Sequence, residues 1–103
     1  MQATEISMAE LEPRINEAAL LMSMLSQPPR LKILCSLVGG EQSVTKLAGL
    51  AGLSQPAMSH HLRKLRDAGL VMTRRDAQTI YYALSGDEVS AVLEVLHDLY
   101  CAR

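Results

Sequence analysis

The sequence predicts a mainly α-helical fold, five helices with one small β-hairpin. Three observations predict it. Apolar residues recur at helical spacing in segments separated by Pro, Gly and Ser. The apolar content is aliphatic, with three Tyr, no Phe and no Trp, so the core must be Leu, Val, Ala and Met, which suits packed helices. The hydrophobic period changes only once, in "LVMTRR" and "TIYYAL" around "DAQ", which read as two strands and a turn.

The elements follow in order. "PRINEAALLMSML" places Ile15, Ala18, Ala19, Met22 and Leu25 at helical spacing, with Pro13 suited to a first turn. "SQPP" breaks it, and Pro29 opens a second helix whose apolar row is Leu31, Leu34, Cys35 and Val38. Gly39-Gly40 ends that helix. Ser43 caps a short third helix, "VTKLAGL". Ser54 caps a fourth, "QPAMSHHLRKLRDA", with Pro56 in its first turn and Gly69 as its stop. After the hairpin, Asp87 caps a last helix with the stripe Val89, Val92, Leu93, Leu96, Leu99 and Tyr100. No internal repeat, low-complexity segment or linker interrupts the chain, so 1–103 reads as one domain.

A chain of 103 residues buries a modest core and often gains stability by pairing with a copy of itself. The scarcity of aromatics argues against single-strand RNA modules, which stack bases on aromatic platforms. The N-terminus is acidic without an apolar signal region, and "AALLM" is far too short to span a bilayer. The expected setting is the cytoplasm, with no membrane partner. A cysteine pair there is more often redox-active or metal-binding than a structural disulfide.

The net charge of −1 hides an uneven distribution. Residues 30–75 hold eight Lys and Arg against Glu41 and Asp67, whereas both ends are acidic. A basic middle of this kind is expected to meet phosphate.

The middle also carries a motif. Two short helices joined by a Gly-containing turn, between residues 43 and 68, read as a helix-turn-helix. In the second helix Met58, Leu62 and Leu65 share the face expected to pack inward. Gln55, Ser59, His60, Arg63 and Arg66 lie on other faces. Such a helix fits the major groove of double-stranded DNA, where Gln and Arg make bidentate contacts to A and G. Ser54 and the helix N-terminus can hold a phosphate. Arg74, Arg75 and Gln78 of the hairpin would reach the flanking backbone or minor groove. With a basic hairpin following directly, the arrangement is a winged helix-turn-helix. Taken one at a time, each charge reads by default as a solvated helix face; the order of parts favours DNA.

From about residue 17 onward, "RLKILCSLVGGEQSVTKLAGLAGLSQPAMSHHLRKLRDAGLV" followed by "RRDAQTIYYAL" resembles the ArsR family of dimeric winged-helix repressors. The resemblance implies a homodimer formed through the first and last helices. Metal sites of that family do not carry over. "SVTKL" stands where one family site has Cys-x-Cys; Val89 and Tyr100 replace histidines that would join Asp87 and His97 in another. No metal or other cofactor is expected. The pairing of "ILC" with "LYC" resembles the dithiol branch of the family, which senses persulfides and oxidants. This implies that Cys35 and Cys101 become joined, by a disulfide or a bridge of extra sulfurs, and that the operator is then released. The inducer would be sulfane sulfur or an oxidant. Lys32, one turn before Cys35, is expected to favour its thiolate, while Cys101 at a helix C-terminus is disfavoured as an anion. Cys35 would then react first and Cys101 resolve.

The reading is a homodimeric repressor that is not an enzyme: His60, His61 and His97 have no catalytic partners at recognisable spacing. Its rivals are a metal-responsive repressor of the same fold, an anti-repressor that activates genes, and a constitutive architectural binder.

Overall fold

The computed structural model describes residues 5–101. The elements run α1 (Met8–Leu11), a 3-10 turn (Glu12–Arg14), α2 (Ile15–Leu25), α3 (Pro28–Leu37), β1 (Gln42–Ser43), α4 (Val44–Ala51), α5 (Gln55–Asp67), β2 (Val71–Asp76), β3 (Thr79–Leu84) and α6 (Glu88–Tyr100). The five expected helices are α2 to α6, and the hairpin is β2–β3. Two elements were not expected. Ser7 caps the single turn of α1 by accepting from the Glu10 N–H at 3.3 Å. Pro13 therefore sits in the 3-10 turn instead of opening a helix. The other addition is β1, which pairs antiparallel with β3 in the register Gln42 to Tyr82 and Ser43 to Tyr81. The sheet order is β1-β3-β2, so β3 is central.

Local chemistry accounts for most boundaries. Pro28 and Pro29 occupy the first turn of α3, where their missing N–H groups cost nothing. Ser43 accepts from the Lys46 N–H at 3.2 Å and Ser54 from the Ala57 N–H at 3.3 Å, so both expected caps form. Asp87 stands ahead of α6 in a helical conformation, and its side chain makes no capping bond. The β2–β3 hairpin closes through Ala77 at φ 56°, a left-handed position that ordinarily favours glycine.

The core gathers around α3, whose Ile33, Leu34 and Leu37 are buried with Leu47, Met58, Leu62, Leu65, Val71, Val89 and Leu93. The inward face expected of the fourth helix is the one observed. Those of α2 and α3 are rotated from expectation. In α2 the inward residues are Leu21, Met24 and Leu25, and Met22 is exposed. In α3 the buried row is Arg30, Ile33, Leu34 and Leu37, which leaves Cys35 and Val38 on the outside. Only Val89 and Leu93 of the α6 stripe are buried; Leu99 and Tyr100 face out.

Arg30 is 7% exposed. Its Nε donates to the Met24 carbonyl at 2.9 Å and its Nη2 to the Ser23 carbonyl at 3.2 Å. These carbonyls belong to the last turn of α2, where that of Ser23 also accepts from the Ser26 N–H at 3.2 Å and the Ser26 hydroxyl at 2.6 Å. Arg30 thus caps α2 from α3, and one cation of the basic middle serves the fold and not phosphate.

Candidate functional site

α4 and α5 meet through a turn at Gly52, whose φ of 68° closes α4; Leu53 N–H then returns to the Ala48 carbonyl at 3.0 Å. α5 presents its outer face beside the hairpin. A groove of about 690 Å³ lies between them, lined from α5 by Gln55, Ser59, Arg63, Arg66 and Asp67. Gln78, Thr79, Ile80 and Tyr82 line it from the hairpin, and Val44 and Thr45 from α4.

Of the residues expected at DNA, Gln55, Ser59, Arg63 and Gln78 therefore converge on one groove. Ser54 stands at its end as the α5 cap. Arg66, Asp67 and Thr45 join them. Arg66 is among the residues that the sequence places on the outer faces of this helix; Thr45 and Asp67 carry no signal of their own in the sequence. His60 is exposed but turned away from the groove, its ring edge-on to His61 at 5.5 Å.

The pleat separates the two arginines of the hairpin. Arg75 opposes Ile80, and Arg74 opposes Tyr81. Paired residues share a face and successive residues alternate, so Arg75 lies on the groove side with Ile80 and Arg74 on the other. Arg74 is not a free cation. Its guanidinium lies 4.6 Å from the centre of the Tyr81 ring, and both Nε and Nη2 donate to the Glu41 carboxylate. Those hydrogen bonds hold the Glu41 carboxyl below its ordinary range. The fork of Arg74 is thus already filled within the fold.

The two cysteines are free thiols and both are exposed. Cys35 lies on the outer side of α3. Cys101 ends α6, its N–H donating to the His97 carbonyl at 2.8 Å. Although the residue as a whole is exposed, partial burial pushes the Cys35 thiol above its ordinary value, and the charge of the nearby Cys101 pushes it the same way. The thiolate advantage expected from Lys32 is therefore absent. Among the described residues no three His, Cys, Asp or Glu side chains gather where they could hold a metal ion. No helix there is long and apolar enough to cross a membrane.

Two capped helices in tandem, the second displayed beside an antiparallel hairpin, define a winged helix-turn-helix protein of the DNA-binding class. Residues 27–73 match the family described as bacterial regulatory protein, arsR family. The chain is 43% identical to the transcriptional activator HlyU of Vibrio cholerae serotype O1, over 98% of this chain and 94% of that protein. A structure of reduced HlyU from Vibrio cholerae N16961 superposes with a TM-score of 0.83 at 47% identity, covering 89% of this chain and 97% of that one. The transcriptional repressor BigR of Xylella fastidiosa gives a TM-score of 0.88 at 38% identity, over 95% and 100% of the two chains. A homodimeric winged helix-turn-helix DNA-binding domain from Mycobacterium bovis, a possible ArsR-family regulator, gives 0.73 at 28% identity, over 94% and 91%. The chain belongs to the ArsR family and is a DNA-binding transcriptional regulator.

Proposed function

We propose that the protein is a homodimeric repressor that binds double-stranded operator DNA through α5 and the hairpin. It releases that DNA when Cys35 and Cys101 are cross-linked by sulfane sulfur or an oxidant. The switch is supported by two exposed free thiols, Cys35 on α3 and Cys101 at the end of α6, with Cys101 among the influences that raise the Cys35 thiol. The bridge forms with loss of two electrons and two protons. Peroxide takes them and becomes water, or polysulfide takes them and leaves as hydrosulfide. A bridge ties α3, the centre of the core, to the end of α6.

Dimerisation has independent support. Leu20 and Met22 on α2 and Val95, Leu99 and Tyr100 on α6 are exposed apolar residues on the two terminal helices. A mostly apolar hollow lies alongside, lined by Leu20, Leu21, Leu70 and Val89 among others. The Mycobacterium bovis neighbour is homodimeric by its description. In a dimer, α6 would set the separation of the two α5 helices, which must be roughly 34 Å to enter successive major grooves. A coupling of about 1–3 kcal/mol between the thiol pair and that separation suffices for a switch.

Intact mass after exposure to inorganic polysulfide, with alkylation of remaining thiols, tests the sensor. The expected species has no free thiol and carries whole added sulfur atoms, and its DNA affinity is lower. Two separately alkylated cysteines under both polysulfide and peroxide would remove the switch. For the DNA face, Arg75→Ala is expected to weaken binding to every duplex and flatten the salt dependence by about one unit of slope. Gln55→Ala should relax sequence preference instead. The relative named an activator favours a second reading, an anti-repressor that displaces other DNA-bound proteins. Unchanged regulation in Cys35→Ser and Cys101→Ser variants would select it.

A further inference from the structure

We infer that Glu41 and Arg74 are positioning residues for DNA binding: their ion pair holds the hairpin at a set angle to the helix-turn-helix. This rests on the reading that α5 and the hairpin engage duplex DNA.

The argument starts from the order of the sheet. β3 is central, with β1 on one side and β2 on the other. Arg74 stands on β2 and Glu41 immediately precedes β1. To meet, the Arg74 side chain crosses the ring of Tyr81 on β3, 4.6 Å from its centre. It then donates twice, Nε to Oε2 at 3.2 Å and Nη2 to Oε1. The planar fork matches the carboxylate, and this two-point contact fixes direction as well as distance. The outer strands are thereby clasped across the central one.

What the clasp controls follows from β1. That strand is two residues long and joins the sheet through Gln42 and Ser43 alone. Ser43 is at once its last residue and the N-cap of α4. No loop separates the sheet from the first helix of the helix-turn-helix. Holding Glu41 against Arg74 therefore holds α4, and α5 packed on it, against the hairpin. A role in global stability is a poor alternative, because both side chains are about half exposed and exposed ion pairs contribute little. Nor is the engaged edge of Arg74 available to phosphate.

The test is binding of the full chain to mixed-sequence duplex DNA over a series of salt concentrations. Glu41→Gln and Arg74→Gln should each weaken binding by about fivefold at fixed salt, with little change in melting temperature. The exchanged pair, Glu41→Arg with Arg74→Glu, should recover most of that loss with the original salt slope. Failure of the exchange, with a slope shallower by about one, would make Arg74 itself a phosphate contact and overturn the inference. Tighter binding by Glu41→Gln would overturn it too, reducing the acid to a charge that opposes DNA. Arg63→Ala, measured alongside, separates two kinds of failure. Lost binding there with an unrescued exchange sinks the clasp alone. Unchanged binding there sinks the DNA face and the clasp with it.

Discussion

At Cys35 two influences act in the same direction. Burial and the neighbouring Cys101 both disfavour the thiolate, so the ionised fraction at neutral pH is smaller than for a free cysteine. Alkylation proceeds through the thiolate, and its rate rises as pH climbs through the thiol pKa. The midpoint for Cys35 is therefore expected above that of an ordinary thiol. Cys101→Ser removes one of the two causes and should move the midpoint down; rates of iodoacetamide modification against pH check both statements. A midpoint unmoved by Cys101→Ser would mean that the two thiols do not feel each other. Sequence alone pointed the opposite way, because Lys32 precedes Cys35 by one turn while the burial of the sulfur depends on how α3 is rotated. That rotation turns Ile33, Leu34 and Leu37 into the core. An arginine ranks as a surface residue in any pattern of apolar spacing, yet here Arg30 shares that inner row, and Cys35 lies outside it.

Among the elements, those with their own local signals were legible and those that borrow a partner were not. α4 and α5 begin at serines that cap them and end near glycines, so their extents followed from the chain. β2 and β3 were legible because Val, Thr, Ile and Tyr cluster on either side of a short polar turn. β1 was not: two residues are too few to alternate, and Gln42 and Ser43 are a strand only because Tyr81 and Tyr82 pair with them. The contact of Arg30 with the end of α2 was equally hidden, as its acceptors are backbone carbonyls that any sequence would supply. That contact has a measurable worth. Arg30→Met keeps most of the buried stem but leaves the Ser23 and Met24 carbonyls without their charged donor. It should cost about 1.5–3 kcal/mol in urea unfolding. A loss below a few tenths of a kcal/mol would mean that water caps α2 equally well.

For the molecule as a whole, charge and apolar surface divide the labour. The groove between α5 and the hairpin is polar and carries Arg63 and Arg66. The terminal helices are acidic and leave Leu99 and Tyr100 uncovered. Both features were readable as composition along the chain; the convergence of the polar residues into one groove required the fold. If α6 meets a second copy, Leu99→Asp places a charge where an apolar side chain would be buried. The dimer dissociation constant should rise by about 10- to 100-fold, the worth of one buried leucine. Analytical ultracentrifugation across a dilution series measures it, and an unchanged constant would move the interface elsewhere.

The hairpin tip has a further consequence. Ala77 holds a left-handed turn at a strain of about 1–2 kcal/mol, where glycine would sit without strain. An alanine left to itself prefers negative φ, so the paired strands on either side, and not the tip residue, impose this turn. Ala77→Gly would relieve the strain while giving the unfolded chain more freedom, so its net effect on stability reports how firmly the β2–β3 ladder holds its own end.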